Sequence, residues 1–184
     1  LAIHVEMEDV PQHTDHDYLQ DFTDKLGIPL HRVKTNTDRP GKTEKSRCFG
    51  CSWNRRKAIF ETSRKLGFNK IALGHHMDDV LETLMMNMTF QGEISSLPPK
   101  LSMFDGKFDL IRPMILSSAE EIKEYAAIHH IKAVQHNCPY EDQSKRESFR
   151  KIIREISGMH PQAKINLFNS MDRINREYLP EKPL

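Results

Sequence analysis

Short β-prone runs alternate along this chain with amphipathic stretches of about ten residues or more, and few folds accommodate that rhythm. Strands are expected at residues 2–7, 29–34, 70–73, 108–111 and 131–134, each flanked by turn formers or polar residues. Residues 15–26 place Tyr18, Leu19, Phe22 and Leu26 on one helix face and stop at Gly27. Residues 53–66 carry Ile59, Phe60, Ser63 and Leu66, and residues 79–90 carry Val80, Leu81, Leu84, Met85 and Met88. Residues 118–129 open with Ser118-Ala119-Glu120-Glu121, a capping-box spacing, and residues 144–157 carry Phe149, Ile152, Ile153 and Ile156. A final helix is expected over about 161–178. The alternation predicts an α/β fold of right-handed βαβ units on a parallel sheet, with helices on both faces. Residues 92–106, with Pro98-Pro99 inside, read as a loop.

Ligands of parallel sheets bind beyond the carboxyl ends of the strands. The segment Leu73-Gly74-His75-His76-Met77-Asp78-Asp79 falls at such an end. Glycine there admits a ligand close to the backbone, and carboxylates can hold Mg²⁺ on a nucleotide's phosphates. A capping role accounts for one aspartate, since Asp78 or Asp79 can cap the following helix and Asp79 with Glu82 has capping-box spacing. It does not account for His-His beside Asp-Asp. Arg112, just past a strand and before Pro113, fits a phosphate or carboxylate partner better than packing.

The chain has three cysteines, Cys48 and Cys51 in a CxxC pair and Cys138 before Pro139-Tyr140. Two thiolates at i and i+3 face one point, and a distant third closes a tripod with one coordination position open. Spacing alone leaves zinc (completed by His136), an iron–sulfur cluster and a redox pair as alternatives. An odd number of cysteines does not suit a secreted disulfide framework, and a cytoplasmic, reducing setting fits better. There is no signal peptide and no apolar run long enough to span a membrane.

Net charge is only +1, but it is unevenly spread. Residues 1–38 hold eight acidic and three basic side chains, while residues 39–70 hold ten basic and two acidic ones, a local balance of 10 − 2 = +8. A basic segment around a cysteine pair suggests a polyanion such as RNA, against the plainer reading of a solvated helix face. Arg55, Arg56 and Lys57 follow the CxxC. Arg146, Arg150 and Arg154 recur at i, i+4 and i+8 on one helix face, as a solvated face or an RNA-backbone stripe. Trp53, the one tryptophan, reads as core or interface.

Leu-Gly-His-His-Met-Asp-Asp-Val-Leu-Glu-Thr-Leu resembles the Gly-His-x-x-Asp-Asp segment of the PP-loop ATP pyrophosphatases. With Cys48-x-x-Cys51 before Arg55-Arg56, Ile111-Arg112-Pro113-Met114 and the later Cys138-Pro139-Tyr140, the chain resembles the tRNA thiolation branch, most of all the tRNA 2-thiocytidine synthetases. The likeness runs from about residue 1 to 175, with the motifs in family order. It implies a Rossmann-like, adenine nucleotide alpha hydrolase-like fold, in a single domain over residues 1–184 with a helical C-terminal part at about 144–178. It implies a cytoplasmic ATP-dependent tRNA sulfurtransferase, which adenylates the C2 oxygen of a cytidine in the anticodon loop and displaces AMP with sulfur. The implied cofactors are ATP, Mg²⁺ and a [4Fe-4S] cluster on Cys48, Cys51 and Cys138, whose free iron holds the incoming sulfur. The implied partners are tRNA, a sulfur donor and, as often in this family, a second copy. Asp78, Asp79 and Lys57 would then be catalytic, Leu73, Gly74, His75 and Arg112 would bind the nucleotide, and Arg55, Arg56, Arg146 and Arg150 would contact RNA.

The Ser-Gly-Gly-x-Asp-Ser loop that cradles pyrophosphate in this family does not occur in the sequence. The opening Leu1-Ala2-Ile3-His4-Val5 reads as a strand in progress, so an upstream strand and loop are expected to be missing. Some thiocytidine synthetases carry a further cysteine where Glu141 stands here. Two rivals remain: a zinc-stabilised, non-catalytic RNA-binding module, and a lysidine-type tRNA ligase, which has no need of a sulfur site.

Overall fold

The computed structural model describes residues 1–11, 14–38, 47–132 and 145–180. The chain divides into two compact units: Leu1–Ile71, Ser102–Leu110 and His129–Ser144 form the first, and Ala72–Leu101, Ile111–Ile128 and Lys145–Leu184 the second.

The first unit contains β1 (Ala2–Met7), α1 (His16–Lys25), β2 (Leu30–Thr35) and α2 (Arg47–Lys65). β1 and β2 pair in parallel, from Ala2 opposite Leu30 to Met7 opposite Thr35, with α1 as the crossover that parallel pairing requires. The period of two along β1 buries Val5 and Met7, which pack with Val10 and with Ala58 of α2. His4 and Glu6 point to the other face. Asp15 caps α1 by accepting the Tyr18 N–H at 2.9 Å, and Gly27, at φ 65°, turns the chain out of it. α2 begins six residues earlier than the apolar periodicity suggested. Residues 47–52 add turns of helix with no repeating apolar period, since Phe49 stands beside Gly50 and is exposed, and this puts Cys48 and Cys51 inside the helix.

β3 (Lys70–Ala72), β4 (Lys100–Met103) and β5 (Phe108–Ile111) form a three-stranded sheet in the order β3-β5-β4. β4 lies where a loop was expected. Its four residues are too few for alternation to show, and hairpin contacts hold it: Ser102 Oγ donates to Asp109 Oδ1 at 2.6 Å, and the Arg112 N–H to the Pro99 carbonyl at 2.9 Å. The turn holds Phe104, Asp105 and Gly106 at φ 55°, 56° and 78°, a region that only the glycine enters without strain. Of the strand expected at 131–134, residues 131 and 132 are not in a strand, and the other two lie outside the described residues.

The second unit is helical: α3 (Met77–Gln91), α4 (Ala119–Ile128), α5 (Lys145–Met159) and α6 (Ala163–Ser170). Its core joins Met77 and Leu81 of α3 to Ile153 of α5, with Ile165, Leu167 and Phe168 of α6 packed on them. Ser118 caps α4 in the expected way: its Oγ accepts the Glu121 N–H at 3.2 Å, and Glu121 returns a carboxylate to the Ser118 N–H at 2.7 Å. The last helix is shorter than the expected 161–178. Past Ser170 the apolar residues Ile174, Tyr178 and Leu179 are exposed and supply no burial to hold a helix, and only a 3-10 turn follows, Arg176–Tyr178.

Leu81 is fully buried. Leu81→Ala is expected to lower unfolding free energy by about 2–5 kcal/mol in urea denaturation, and Met88→Ala, on the exposed side of α3, by less than about 1 kcal/mol.

Candidate active site

In the second unit, the chain leaves β3 with the Leu73 N–H donating to the Ile111 carbonyl at 2.9 Å. It then runs through Gly74, His75 and His76 into α3. Gly74 is exposed, and a methyl group there would meet only the Met114 Cε at 3.6 Å, an ordinary contact. The fold therefore does not itself demand glycine; the open space is what an approaching ligand would use. His76 precedes α3, and its N–H donates to Asp79 Oδ2 at 3.0 Å, so the expected cap falls to Asp79, reaching back from inside the helix.

The two aspartates differ in their surroundings. Asp78 is buried; its Oδ2 accepts the Ala119 N–H at the start of α4 at 2.7 Å, and its Oδ1 lies 2.6 Å from Lys164 Nζ of α6. Burial raises the Asp78 carboxyl, but hydrogen bonds from Lys164 and Ala119 outweigh it and hold the group below the ordinary aspartate range. Lys164 is the reverse case: burial lowers it, while Asp78 and Glu120, the latter at 2.7 Å, raise it. Asp79 faces His76 Nε2 at 3.5 Å and Arg146 Nη1 at 3.6 Å.

Arg112 is buried, at 6% exposure. It donates through Nη1 to the Pro98 carbonyl and through Nε to His75 Nδ1 at 3.3 Å. No carboxylate pairs with it among the described residues, and burial lowers its pKa. A buried guanidinium held by neutral acceptors is a site for an anion. His75 is pushed below the ordinary histidine range, first by burial and, against the pull of Asp79, by Arg112, Arg146 and His76. It is therefore neutral at pH 7, with Nδ1 free of a proton to accept from Arg112.

The arginines of α5 do not simply face solvent. Arg150 Nε lies 3.0 Å, and Arg146 Nε 3.4 Å, from the carboxylate of Glu82, which is 2% exposed. Glu147 pairs with Arg150 at 2.8 Å and with Arg154 at 3.1 Å.

In the first unit, Cys48 and Cys51 are thiols one turn apart near the start of α2, Cys48 exposed and Cys51 packed against the β1–α2 core. A helix start favours negative charge, and the i, i+3 spacing points both thiols to one side. Two corners of a thiolate-bound cluster fit them; Cys138, with His136 and Glu141, lies outside the described residues. Arg55 Nε is buried with no hydrogen-bond partner among the described residues, whereas Arg56 bonds the Ser52 carbonyl at 3.2 Å. Lys57 is exposed, 3.8 Å from Glu61 and over the Trp53 ring. Trp53 is 40% exposed and is not a core residue.

The structure thus brings together Leu73, Gly74, His75, Asp78, Asp79, Arg112, Arg146 and Arg150 in one unit, and holds Cys48, Cys51, Arg55, Arg56 and Lys57 in the other. Sequence reading missed Lys164 and the central place of Glu82. Lys164 carries no signal, because its partner Asp78 is remote along the chain; an apolar period with one buried acid, as at Glu82, is the only hint of a buried ion pair.

The family profile described as ATP_bind_3, PP-loop domain, matches residues 2–156. The tRNA-cytidine(32) 2-sulfurtransferases of Burkholderia mallei (strain SAVP1) and Burkholderia pseudomallei (strain K96243) are each 31% identical to this chain over 179 residues, covering 95% of it and 53% of their own length. The chain thus spans about half the length of these curated relatives. Among solved structures, the U34-tRNA thiolase NcsA from Methanococcus maripaludis with its [4Fe-4S] cluster superposes with a TM-score of 0.77 at 26% identity, over 97% of this chain and 63% of that one.

The Asp78–Lys164 pair fixes a pH dependence. Asp78, held low, stabilises the fold above the ordinary aspartate pKa and loses that contribution as pH falls through its depressed value; Lys164, held high, stabilises below the ordinary lysine pKa and loses its contribution as pH rises through its raised value. Lys164→Met is expected to cost roughly 3 kcal/mol at pH 7 by leaving a buried carboxylate uncompensated. Urea denaturation over a pH series should show that deficit shrinking in acid, once Asp78 is protonated in the parent protein too.

Proposed function

We propose that this chain, which belongs to the PP-loop family, forms part of a cytoplasmic ATP-dependent tRNA sulfurtransferase acting on a cytidine of the anticodon loop. The observation that carries the reading is Arg112, a buried cation with neutral partners at the carboxyl end of a strand, beside an open glycine and a neutral imidazole. A nucleotide phosphate satisfies that guanidinium, and the Leu73-Gly74-His75 backbone gives the nucleotide its approach. The activities of the similar proteins, a tRNA-cytidine(32) 2-sulfurtransferase and a U34-tRNA thiolase, support the same reading.

The chemistry asks for a leaving group. The C2 oxygen of a pyrimidine leaves poorly; it attacks the α-phosphorus of ATP, pyrophosphate departs, and the adenylated oxygen then leaves as AMP when sulfur adds at C2. Arg112 neutralises charge on the phosphates, and His75, neutral with a donor at Nε2, hydrogen-bonds without adding charge. Of the two aspartates, Asp79 is the one to meet Mg²⁺, because Asp78 is committed to Lys164 and α4. Arg146 and Arg150 hold Asp79 and Glu82 in place and offer their half-exposed side chains to RNA, with Arg55 and Arg56 as further contacts and Lys57 as a phosphate ligand. Cys48 and Cys51, with Cys138, would hold the [4Fe-4S] cluster, which supplies the sulfur-binding position when present.

Anaerobic reconstitution with iron and sulfide is expected to load about four irons per chain, and Cys48→Ala, Cys51→Ala and Cys138→Ala each to abolish loading. One zinc and no iron would instead mean a zinc-stabilised RNA-binding module. Arg112→Met is expected to weaken ATP binding by at least about tenfold in calorimetry, corresponding to about 1.4 kcal/mol; unchanged affinity would remove Arg112 from the nucleotide site.

A further inference from the structure

Within the first unit, α2 and the β4–β5 turn flank an open-sided cavity of about 660 Å³, inside the roughly 300–1,000 Å³ range of small-ligand sites. Its walls are aromatic. Phe60, Phe104 and Phe108 meet edge to face, with centroids 5.4 Å (Phe60–Phe104), 5.6 Å (Phe60–Phe108) and 6.1 Å (Phe104–Phe108) apart. Trp53 lines the same space. Two of these rings stay open to solvent, Trp53 at 40% and Phe104 at 55%. Phe104 is held there by a backbone in the left-handed region, unusual for a bulky side chain. Arg56, Lys57, Arg64 and Lys107 ring the cavity, against the single acid Glu61. Lys57 Nζ lies 5.5 Å from the centroid of Trp53.

We propose that this cavity binds one unstacked nucleobase of the RNA substrate, with the base against the solvent-exposed parts of the Trp53 and Phe104 rings and the flanking phosphates on the basic rim. The proposal rests on the reading that the protein acts on tRNA, and it adds a place for part of the tRNA that no motif marks. Aromatic rings combined with cations are how proteins take single-stranded RNA: bases stack on rings and guanidinium planes while cations follow the backbone. The apolar walls would be wasted on a bare phosphate. A second copy of this chain is a poor occupant, because two such rims would set like charges against each other.

Trp53 is the only tryptophan in the chain, so its fluorescence reports on this cavity directly. The test titrates the protein with an end-labelled single-stranded RNA of about ten nucleotides and with an abasic strand of the same length, reading label anisotropy and Trp53 emission together. Binding of the RNA with quenching of Trp53 is expected, and the abasic strand should bind about tenfold more weakly without quenching. Phe104→Ala should weaken RNA binding about tenfold with thermal unfolding little changed. Lys107→Glu, an exposed rim change that leaves the rings alone, should weaken it comparably and serves if Phe104→Ala does not fold. RNA that binds with unaltered Trp53 emission and with full affinity for both variants overturns the cavity assignment and leaves the tRNA reading standing. No RNA binding by anisotropy, even at low salt, overturns the tRNA reading and this proposal with it. Quenching that follows protein concentration without RNA makes a second copy the occupant and also overturns it.

Discussion

Asp78 is a carboxylate taken out of water, and the second unit is arranged around making that tolerable. One oxygen receives the ammonium of Lys164 and the other the first N–H of α4, so a single anion joins the end of β3 and the starts of α3 and α4 to the last helix. Glu82, one turn further along α3, repeats the device with two arginines of α5. Apolar packing of Met77, Leu81 and Ile153 supplies the bulk of the attraction, but it is indifferent to small rotations of α3. The buried ion pairs are directional, and they fix which of the residues after Gly74 turn inward. They also explain why adjacent aspartates in one motif have different work: Asp78 is locked, whereas Asp79 keeps looser partners.

The parts of the fold written in local sequence were legible. The end of α1 at Gly27 and the capping box at Ser118 and Glu121 depend on residues within a few positions of one another, and the parallel β1–β2 pair follows from two adjacent strand patterns with a helical pattern between them. The failures share a cause. The first turns of α2 carry one exposed apolar ring, Phe49, and no apolar period, so periodicity missed them; β4 is four residues long; and residues 171–178 continue an acceptable helical pattern but stay largely exposed among the described residues. At the candidate site, the strand-end segment and Arg112 were readable as motif residues. Their states were not: that Arg112 would have a carbonyl and an imidazole as partners, or that Lys164 would claim Asp78, depends on tertiary contacts between distant segments.

The α5 arginines also bear on how the protein would behave as a polyelectrolyte. Among the described residues, Arg146, Arg150 and Arg154 stand against Asp79, Glu82 and Glu147, three cations to three anions, so those charges largely cancel at short range. An RNA strand laid on α5 would displace few condensed counterions, and the arginines would first have to relinquish carboxylates already in place. On the proposed reading, the ionic-strength sensitivity of RNA association should therefore originate mostly in the cations of α2, where Arg56, Lys57 and Arg64 line the aromatic cavity with Glu61 of the same helix as the single acid.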